Sequence, residues 1–205
     1  MARTTGARDA RHDERRVALL ARLRGRLGQQ GAMHASWREL AAAAGVSLST
    51  LTHYFGRRDA IVRAIMEDDL RMAAGELAMM AVPGGSFEQS IRDAVDHLAD
   101  GLAYGGLSQT FATGLVECLR HPTLGPSFIE SALEPTIRAV EARLQAHLDR
   151  GEMQGEARAG ALMLISPLLL AVLHQRELGG HATRPLDLQA FKRAHADAFI
   201  RAYRF

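Results

Sequence analysis

Cysteine occurs once, at Cys118, so no disulfide can form within the chain, which fits a reducing compartment. Aromatic residues make up only 5% of the sequence, β-branched residues are also few, and no stretch sustains the apolar–polar alternation of a half-buried strand. Ala, Leu, Arg, Met and Glu abound instead, so an all-α fold is expected. The chain has no long membrane-spanning run. Ala159 to Leu173 is nearly all apolar, but its fifteen positions lie between Arg158 and Arg176 and fall short of the roughly 20 residues a spanning helix needs. A buried helix in a core or a dimer interface is the better reading. The N-terminus is polar and arginine-rich, without the apolar segment of a secretory signal, so a cytoplasmic location without membrane attachment is expected. Catalytic motifs are missing too: there is no His-Glu-x-x-His, no Gly-rich phosphate loop and no Gly-x-Ser-x-Gly elbow. Asp93 with His97, and Glu117 with His121, stand four apart as metal ligands can. Ordinary solvated helices show the same spacing, and neither a metal, a cofactor nor an enzymatic role is assigned.

What the sequence does contain is a patterned segment from Ser36 to Asp59, SWRELAAAAGVSLSTLTHYFGRRD. Ser36 is placed to cap a helix beginning at Trp37, with Glu39 three residues on to close a capping box. Leu40, Ala41 and Ala44 fall on one helical face, and Gly45 can take the positive φ of a helix C-terminus. Ser47 is a second N-cap, and Leu51, Tyr54 and Phe55 return apolar groups to the same side. Two short helices around a sharp turn form a helix-turn-helix, with Ala41 and Leu51 at the crossing and Val46 plugging the corner. Leu48, Ser49, Thr50, Thr52 and His53 are left facing outward. A plain helical hairpin would share this pattern.

Charge separates the two readings. Residues 1–60 hold eleven arginines against five carboxylates, a net +6, whereas residues 61–205 hold fourteen basic and eighteen acidic residues, a net −4. A basic segment carrying a helix-turn-helix is the electrostatic footprint of phosphate binding. Arg57 and Arg58 directly follow the second helix. The expected domains are therefore 1–60, binding DNA, and 61–205, a helical body.

The stretch AAAAGVSLSTLTHYFGRRDAI resembles the N-terminal domain of the tetracycline-repressor (TetR) family of bacterial transcription regulators, through Gly45, Val46, Ser47, Thr50, Leu51, Tyr54 and Phe55, with conservative matches at Arg58, Asp59 and Ile61. The motif-level resemblance covers about residues 13–70. It implies a three-helix DNA-binding domain joined by a long helix to a ligand-binding and dimerisation domain. It also implies a homodimer through the last two helices, on a pseudo-palindromic operator in double-stranded DNA, and a small-molecule effector of unknown identity. Carried onto this sequence, the DNA-binding residues are Ser36, Trp37, Arg38, Ser47, Leu48, Ser49, Thr50, Thr52, His53, Tyr54, Arg57 and Arg58. Thr52 stands where the family usually has a Tyr that contacts the DNA backbone, Arg58 replaces the usual Lys, and Trp37 replaces a polar residue. The indole can cover apolar surface or offer its single N–H to the DNA.

Elsewhere, Met1 to about His12 reads as a loose arm and Asp13–Gly28 as a helix burying Val17, Leu20, Leu23 and Leu27. Gly31 closes the next connection. A long helix from Arg57 to about Met80 precedes Pro83-Gly84-Gly85, another runs from Ser86 to Leu102, and after Gly105-Gly106 a third runs from Leu107 to Arg120. Gly125–Arg150 shows a stripe of Ile129, Leu133, Ile137, Val140, Leu144 and Leu148, a Glu134–Arg138 ion pair on the other side, and a bend at Pro135. The last helix, about Asp187 to Tyr203, is expected to line Leu188, Phe191, Ala194, His195, Ala198 and Phe199 along one face, with Ala194, Ala198 and Ala202 allowing close helix approach. Tyr104, Phe111, Glu117, His121 and Met163 are the effector-pocket candidates, and Met72, Met79 and Met80 are further apolar lining or plain core filler. Two rival readings stay open: a helical interaction module that keeps the fold without sequence-specific DNA binding, and a metal- or redox-sensing protein using Cys118.

Overall fold

The computed structural model describes residues 5–27, 35–104 and 107–205, and their side chains except at 5–11, 103–104, 107–110 and 113. Gly31, the Gly105-Gly106 break and the side chain of Tyr104 lie outside the described residues. The elements are α1 (Thr5–Leu27), α2 (Trp37–Ala44), α3 (Leu48–Phe55), α4 (Arg58–Ala81), α5 (Phe87–Tyr104) and α6 (Leu107–Arg120), then α7 (Gly125–Phe128), α8 (Glu134–Asp149), α9 (Ala157–Val172), α10 (Gly180–Thr183) and α11 (Leu188–Tyr203). The fold is all-α. Among the described residues no strand forms, and one isolated bridge pairs Met153 with Arg204.

The chain packs as two compact units, residues 1–68 with 113–128, and residues 69–112 with 129–205. This grouping follows packing, whereas the division at residue 60 followed charge. The two differ at the start of α4 and in residues 113–128, which group with the N-terminal helices.

The first unit is built on Leu19, Leu20, Leu23 and Leu27 of α1, Leu40, Ala41 and Ala44 of α2, Leu51 and Phe55 of α3, and Ile61, Ala64 and Ile65 of α4. Two features of α1 correct the sequence reading. The helix starts at Thr5, so His12 belongs to a helical turn rather than to a loose arm. Val17 is 51% exposed and Leu19 takes its place in the core, because the inward face of α1 continues through Arg16, over the Phe55 ring, and His12, stacked on Tyr54.

The second unit has a separate core, to which α5 contributes Ile91 and Val95, α8 Val140 and Leu144, α9 Ala161, Leu164 and Leu168, and α11 Ala196 and Phe199. A side chain at Gly160 would bring a Cβ to 3.0 Å from Leu144 Cδ1, so glycine permits the close approach of α9 to α8. Buried Arg143 donates to the carbonyls of Met79 and Met80 and to Ser90 Oγ. It thereby takes up the Met80 carbonyl at the end of α4 and adds a second donor to that of Met79, which also accepts from Val82 N, and burial pushes its pKa down. Lys192, 7% exposed, lies 2.9 Å from Asp96 and 3.1 Å from Asp100. Desolvation pulls its pKa down, but the hydrogen bonds to the two carboxylates outweigh this and raise it.

Three local readings are corrected in this unit. Between α7 and α8 the helix widens to a π turn at Ile129–Leu133, immediately before Pro135, whose missing N–H and ring cannot continue the α ladder. The extra residue rotates the register, so Ile129 is 49% exposed while Ile137, Val140 and Leu144 are buried. The Glu134–Arg138 pair does form, at 3.4 Å. A second π turn carries α9 on to Glu177, giving an apolar helical run of 21 residues with 39% of its most apolar stretch buried. By length alone that run reaches membrane-spanning size, which the fifteen-position count missed because helicity persists past His174 and Arg176. Finally, α11 buries Lys192, Ala196, Phe199 and Ile200, leaving Ala194 and Ala198 exposed and Leu188, Phe191 and His195 half-buried. The two aspartates that receive Lys192 let an ammonium occupy the inward face, which a reading by apolar residues alone does not foresee.

Candidate nucleic-acid interface

The helix-turn-helix is held by its own short-range hydrogen bonds. Ser36 Oγ accepts from Glu39 N at 3.2 Å while the Glu39 carboxylate accepts from Ser36 N at 2.6 Å, a complete capping box. The Ser36 backbone bond, then its side-chain bond, hold the Glu39 pKa below the usual carboxylate range. At the other end Gly45 takes φ 67°. The N–H of Val46 reaches Ala41 O and that of Gly45 reaches Ala42 O, both at 3.0 Å, which is the Schellman arrangement. Arg22 of α1 donates to Ala44 O at 2.8 Å and takes up another terminal carbonyl of α2. Ser47 Oγ caps α3 by accepting from Thr50 N at 3.1 Å.

With both helices capped and Leu51 and Phe55 buried, α3 turns its remaining side chains outward. Leu48, Ser49, Thr52 and His53 are exposed, and Thr50 and Tyr54 are half-buried. Ser36, Arg38, Ser47 and Arg57 are exposed, and Trp37 is half-buried. These residues lie on and around the turn and the second helix. Trp37 donates its indole N–H to Thr52 Oγ1 at 3.1 Å while its ring packs against the core cluster. Two of the three departures from the family pattern therefore meet each other, and the indole N–H has a partner inside the protein. Thr52 Oγ1 donates in turn to Leu48 O. His12 stacks on Tyr54 with ring centroids 4.7 Å apart, and His53 meets Tyr54 edge-on at 5.4 Å. Sequence reasoning missed His12; its signal was the helix-compatible composition of residues 5–12, which lacks apolar periodicity and so read as unpacked.

Unlike the exposed Arg38 and Arg57, Arg58 is turned inward. Its guanidinium donates to Glu117 Oε1 at 2.8 Å, with Nε 3.4 Å from Oε2, and also donates to Ala35 O. Glu117 is 3% exposed.

Of the five effector-pocket candidates, the four whose side chains are described are divided between the two units. Glu117 and His121 belong to the first unit, Phe111 and Met163 to the second. His121 lies 3.9 Å from Glu117 on an exposed helix end, Phe111 is half-buried, and Met163 is 57% exposed and accepts from Tyr203 Oη. Met72 and Met79 are also exposed, and only Met80 of the four methionines is core. The second unit does contain a cavity of about 310 Å³, bordered by Asp100, Leu168, Val172, Arg176, Phe191 and Lys192 among others. None of those four candidates lines it. The paired motifs read as possible metal sites are engaged otherwise: His97 faces Glu76 at 3.2 Å and Asp93 accepts from Gln89. Among the described residues no three His, Cys, Asp or Glu side chains converge as a metal site would require. Cys118 is buried, and desolvation followed by the neighbouring Glu117 charge pushes its pKa up, keeping the thiol protonated.

Residues 20–65, which span the capped helices and their buried core, match the family model described as bacterial regulatory proteins, tetR family. That segment carries the likeness to the TetR family. No curated protein matches the chain, but solved TetR-family structures share its fold along nearly the whole length. A protein from Mesorhizobium loti classed as a TetR-family transcriptional regulator aligns with a TM-score of 0.78 at 16% identity, covering 95% of this chain and 99% of its own. The transcriptional regulator FadR from Bacillus subtilis, in complex with stearoyl-CoA, aligns with a TM-score of 0.70 at 15% identity, covering 90% and 97%. E. coli NemR in its reduced form gives 0.68 at 19% identity, covering 90% and 97%. At these identities the likeness to solved structures speaks for the fold. The TetR match covers the capped helices α2 and α3, and the fold along the rest of the chain is that of TetR-family regulators.

Proposed function

We propose that this chain acts as a homodimeric repressor on a pseudo-palindromic operator and releases it when a small molecule binds residues 61–205. The observation that carries this reading is α3: its capping and burial leave Leu48, Ser49, Thr50, Thr52 and His53 along one accessible side, where a helix entering the major groove presents its readers. Ser36, Arg38, Ser47, Tyr54 and Arg57 flank that side as phosphate contacts, which position the protein without reading sequence. Trp37 acts through Thr52. The test is a mobility-shift titration with DNA lying beside the chain's own gene. Binding should fall steeply as salt rises, with log K linear in log salt, and salt-independent binding, or none, counts against the reading.

Dimerisation is supported by a second surface. Leu162, Met163 and Leu170 of α9 are 43%, 57% and 66% exposed, and Ala194, Ala198 and Ala202 of α11 are exposed as well. Clustered exposed apolar groups of this kind mark contact sites, and a two-fold pairing would put two α3 helices on successive half-sites roughly 34 Å apart or a multiple of it. Sedimentation at micromolar concentration should show dimer. Such an arrangement agrees with a cytoplasmic location, α9 facing its own unit on one side and a second copy on the other. An effector acts only through unequal affinity for the DNA-competent and incompetent states. The FadR structure holds stearoyl-CoA; for this chain the 310 Å³ cavity is the place to look first, with a ligand screen chosen from neighbouring genes.

A further inference from the structure

Arg58 follows the reader helix and lies in the basic N-terminal segment, where a guanidinium would ordinarily be counted among the phosphate contacts. Its geometry serves another purpose. The bidentate contact to Glu117, at 2.8 and 3.4 Å, uses the planar fork that suits arginine to carboxylates. The remaining terminal nitrogen donates to the carbonyl of Ala35. Ala35 is 5% exposed and immediately precedes Ser36, the residue whose side chain and backbone close the cap of α2. Glu117 is 3% exposed, so its charge is desolvated and depends on this partner. One guanidinium therefore joins the C-terminal part of α6, the first residue of α4 and the chain entering the helix-turn-helix. All three lie in the same compact unit.

Given the DNA-binding reading above, we propose that Glu117, acting through Arg58, is a positioning residue for DNA recognition: it fixes the entry to α2, and thereby the angle at which the capped pair α2–α3 is presented. Glu117 is then neither an effector ligand nor half of a metal site, and Arg58 is a strut rather than a phosphate contact. The contact spans 59 residues of sequence, so no local pattern announces it. Lysine at 58 would keep the charge but has no fork with which to hold a carboxylate and a carbonyl at once.

The test uses the full chain with Glu117→Gln, Arg58→Gln, Arg58→Lys and the double Gln variant, read in two ways. The first readout is affinity for the DNA fragment across a salt series. Each single variant should weaken binding about tenfold or more, because the α2–α3 pair is then no longer held at one angle. The slope against log salt should stay unchanged, the double variant should be no worse than the weaker single, and lysine should fail to rescue. The second readout is amide hydrogen exchange in the absence of DNA. The amides of α2 should lose protection in Glu117→Gln and in Arg58→Lys while those of Leu20 and Leu23 in α1 keep theirs. A direct phosphate role predicts the opposite pattern, and that pattern overturns the proposal: Arg58→Gln lowers the salt slope by about 0.9 for each bound subunit, Arg58→Lys binds like the parent, and Glu117→Gln binds unchanged or tighter. If the parent binds no DNA, the functional reading fails, and exchange alone decides the strut: unchanged protection of α2 in Glu117→Gln and Arg58→Lys refutes it. Should Glu117→Gln lose protection everywhere, the Arg58→Lys pattern decides.

Discussion

Helices α3 and α9 expose their surfaces in opposite ways. In α3, eight residues long, only Leu51 and Phe55 are buried and the outer side carries hydroxyls and an imidazole. In α9, sixteen residues long, seven residues are buried and the outer side still carries Leu162, Met163 and Leu170. Both helices are anchored on one side by an apolar core, so burial alone does not distinguish them. What differs is the chemistry left over: one outer face suits a hydrated polyanion, the other a dry protein surface. A helix can therefore be read for its partner from the side that folding did not use.

The sharpest way to break this contrast is to remove the anchor from the polar helix. Leu51→Ala, at a fully buried position, should cost about 2–5 kcal/mol of stability and abolish DNA binding, as read by thermal unfolding and mobility shift. If α3 keeps its function without that anchor, the account of why its outer side faces outward is wrong. Next comes the apolar helix. Leu170→Asp, at a position 66% exposed, should leave the fold intact by circular dichroism yet shift sedimentation from dimer to monomer, whereas a persistent dimer would move the interface elsewhere. A smaller effect is expected on the polar side from Arg57→Ala, which should weaken binding to all DNA sequences alike and reduce the salt slope by about 1 for each bound subunit. Thr50→Ala or His53→Ala should instead change the ranking of operator variants, by about 1–3 kcal/mol per base-pair position.

The smallest expected effect concerns the cap of α2. Because the folded pKa of Glu39 lies below its ordinary value of 4.5, its contribution to stability is present above that value and is lost as pH falls through the lower, folded pKa. Melting curves of the parent and Glu39→Gln should differ near neutral pH and converge in strong acid. Ser36→Ala removes the other half of the box and should cost about 1 kcal/mol at either pH.

Legibility in the sequence follows the range of the interactions concerned. Both ends of α2 and the start of α3 were readable to the residue, because Ser36, Glu39, Gly45 and Ser47 act on backbone groups three or four positions away. The core of the helix-turn-helix was readable for the same reason, since Leu40, Ala44 and Leu51 repeat at helical spacing. The inward turn of Arg58 was not, because its partner sits in α6. Nor was the buried face of α11, which depends on Asp96 and Asp100 of α5 receiving Lys192. The π turn before Pro135 fell between these cases: a bend at that proline was foreseeable, but the added residue that moved Ile129 to the surface was not. The outward-facing residues of α3 follow a local rule, whereas a pocket depends on tertiary packing, and the effector candidates with described side chains fall in both units.

The bond between Trp37 and Thr52 has a use beyond architecture. The chain has a single tryptophan, and its indole sits across the junction of α2 and α3 with its N–H on a reader-helix hydroxyl. Emission excited selectively at that indole therefore comes from one known place, so DNA docking, loss of the α2 cap or a change in the angle between the two helices can be followed in the unlabelled protein as a shift in wavelength or quenching of a single fluorophore.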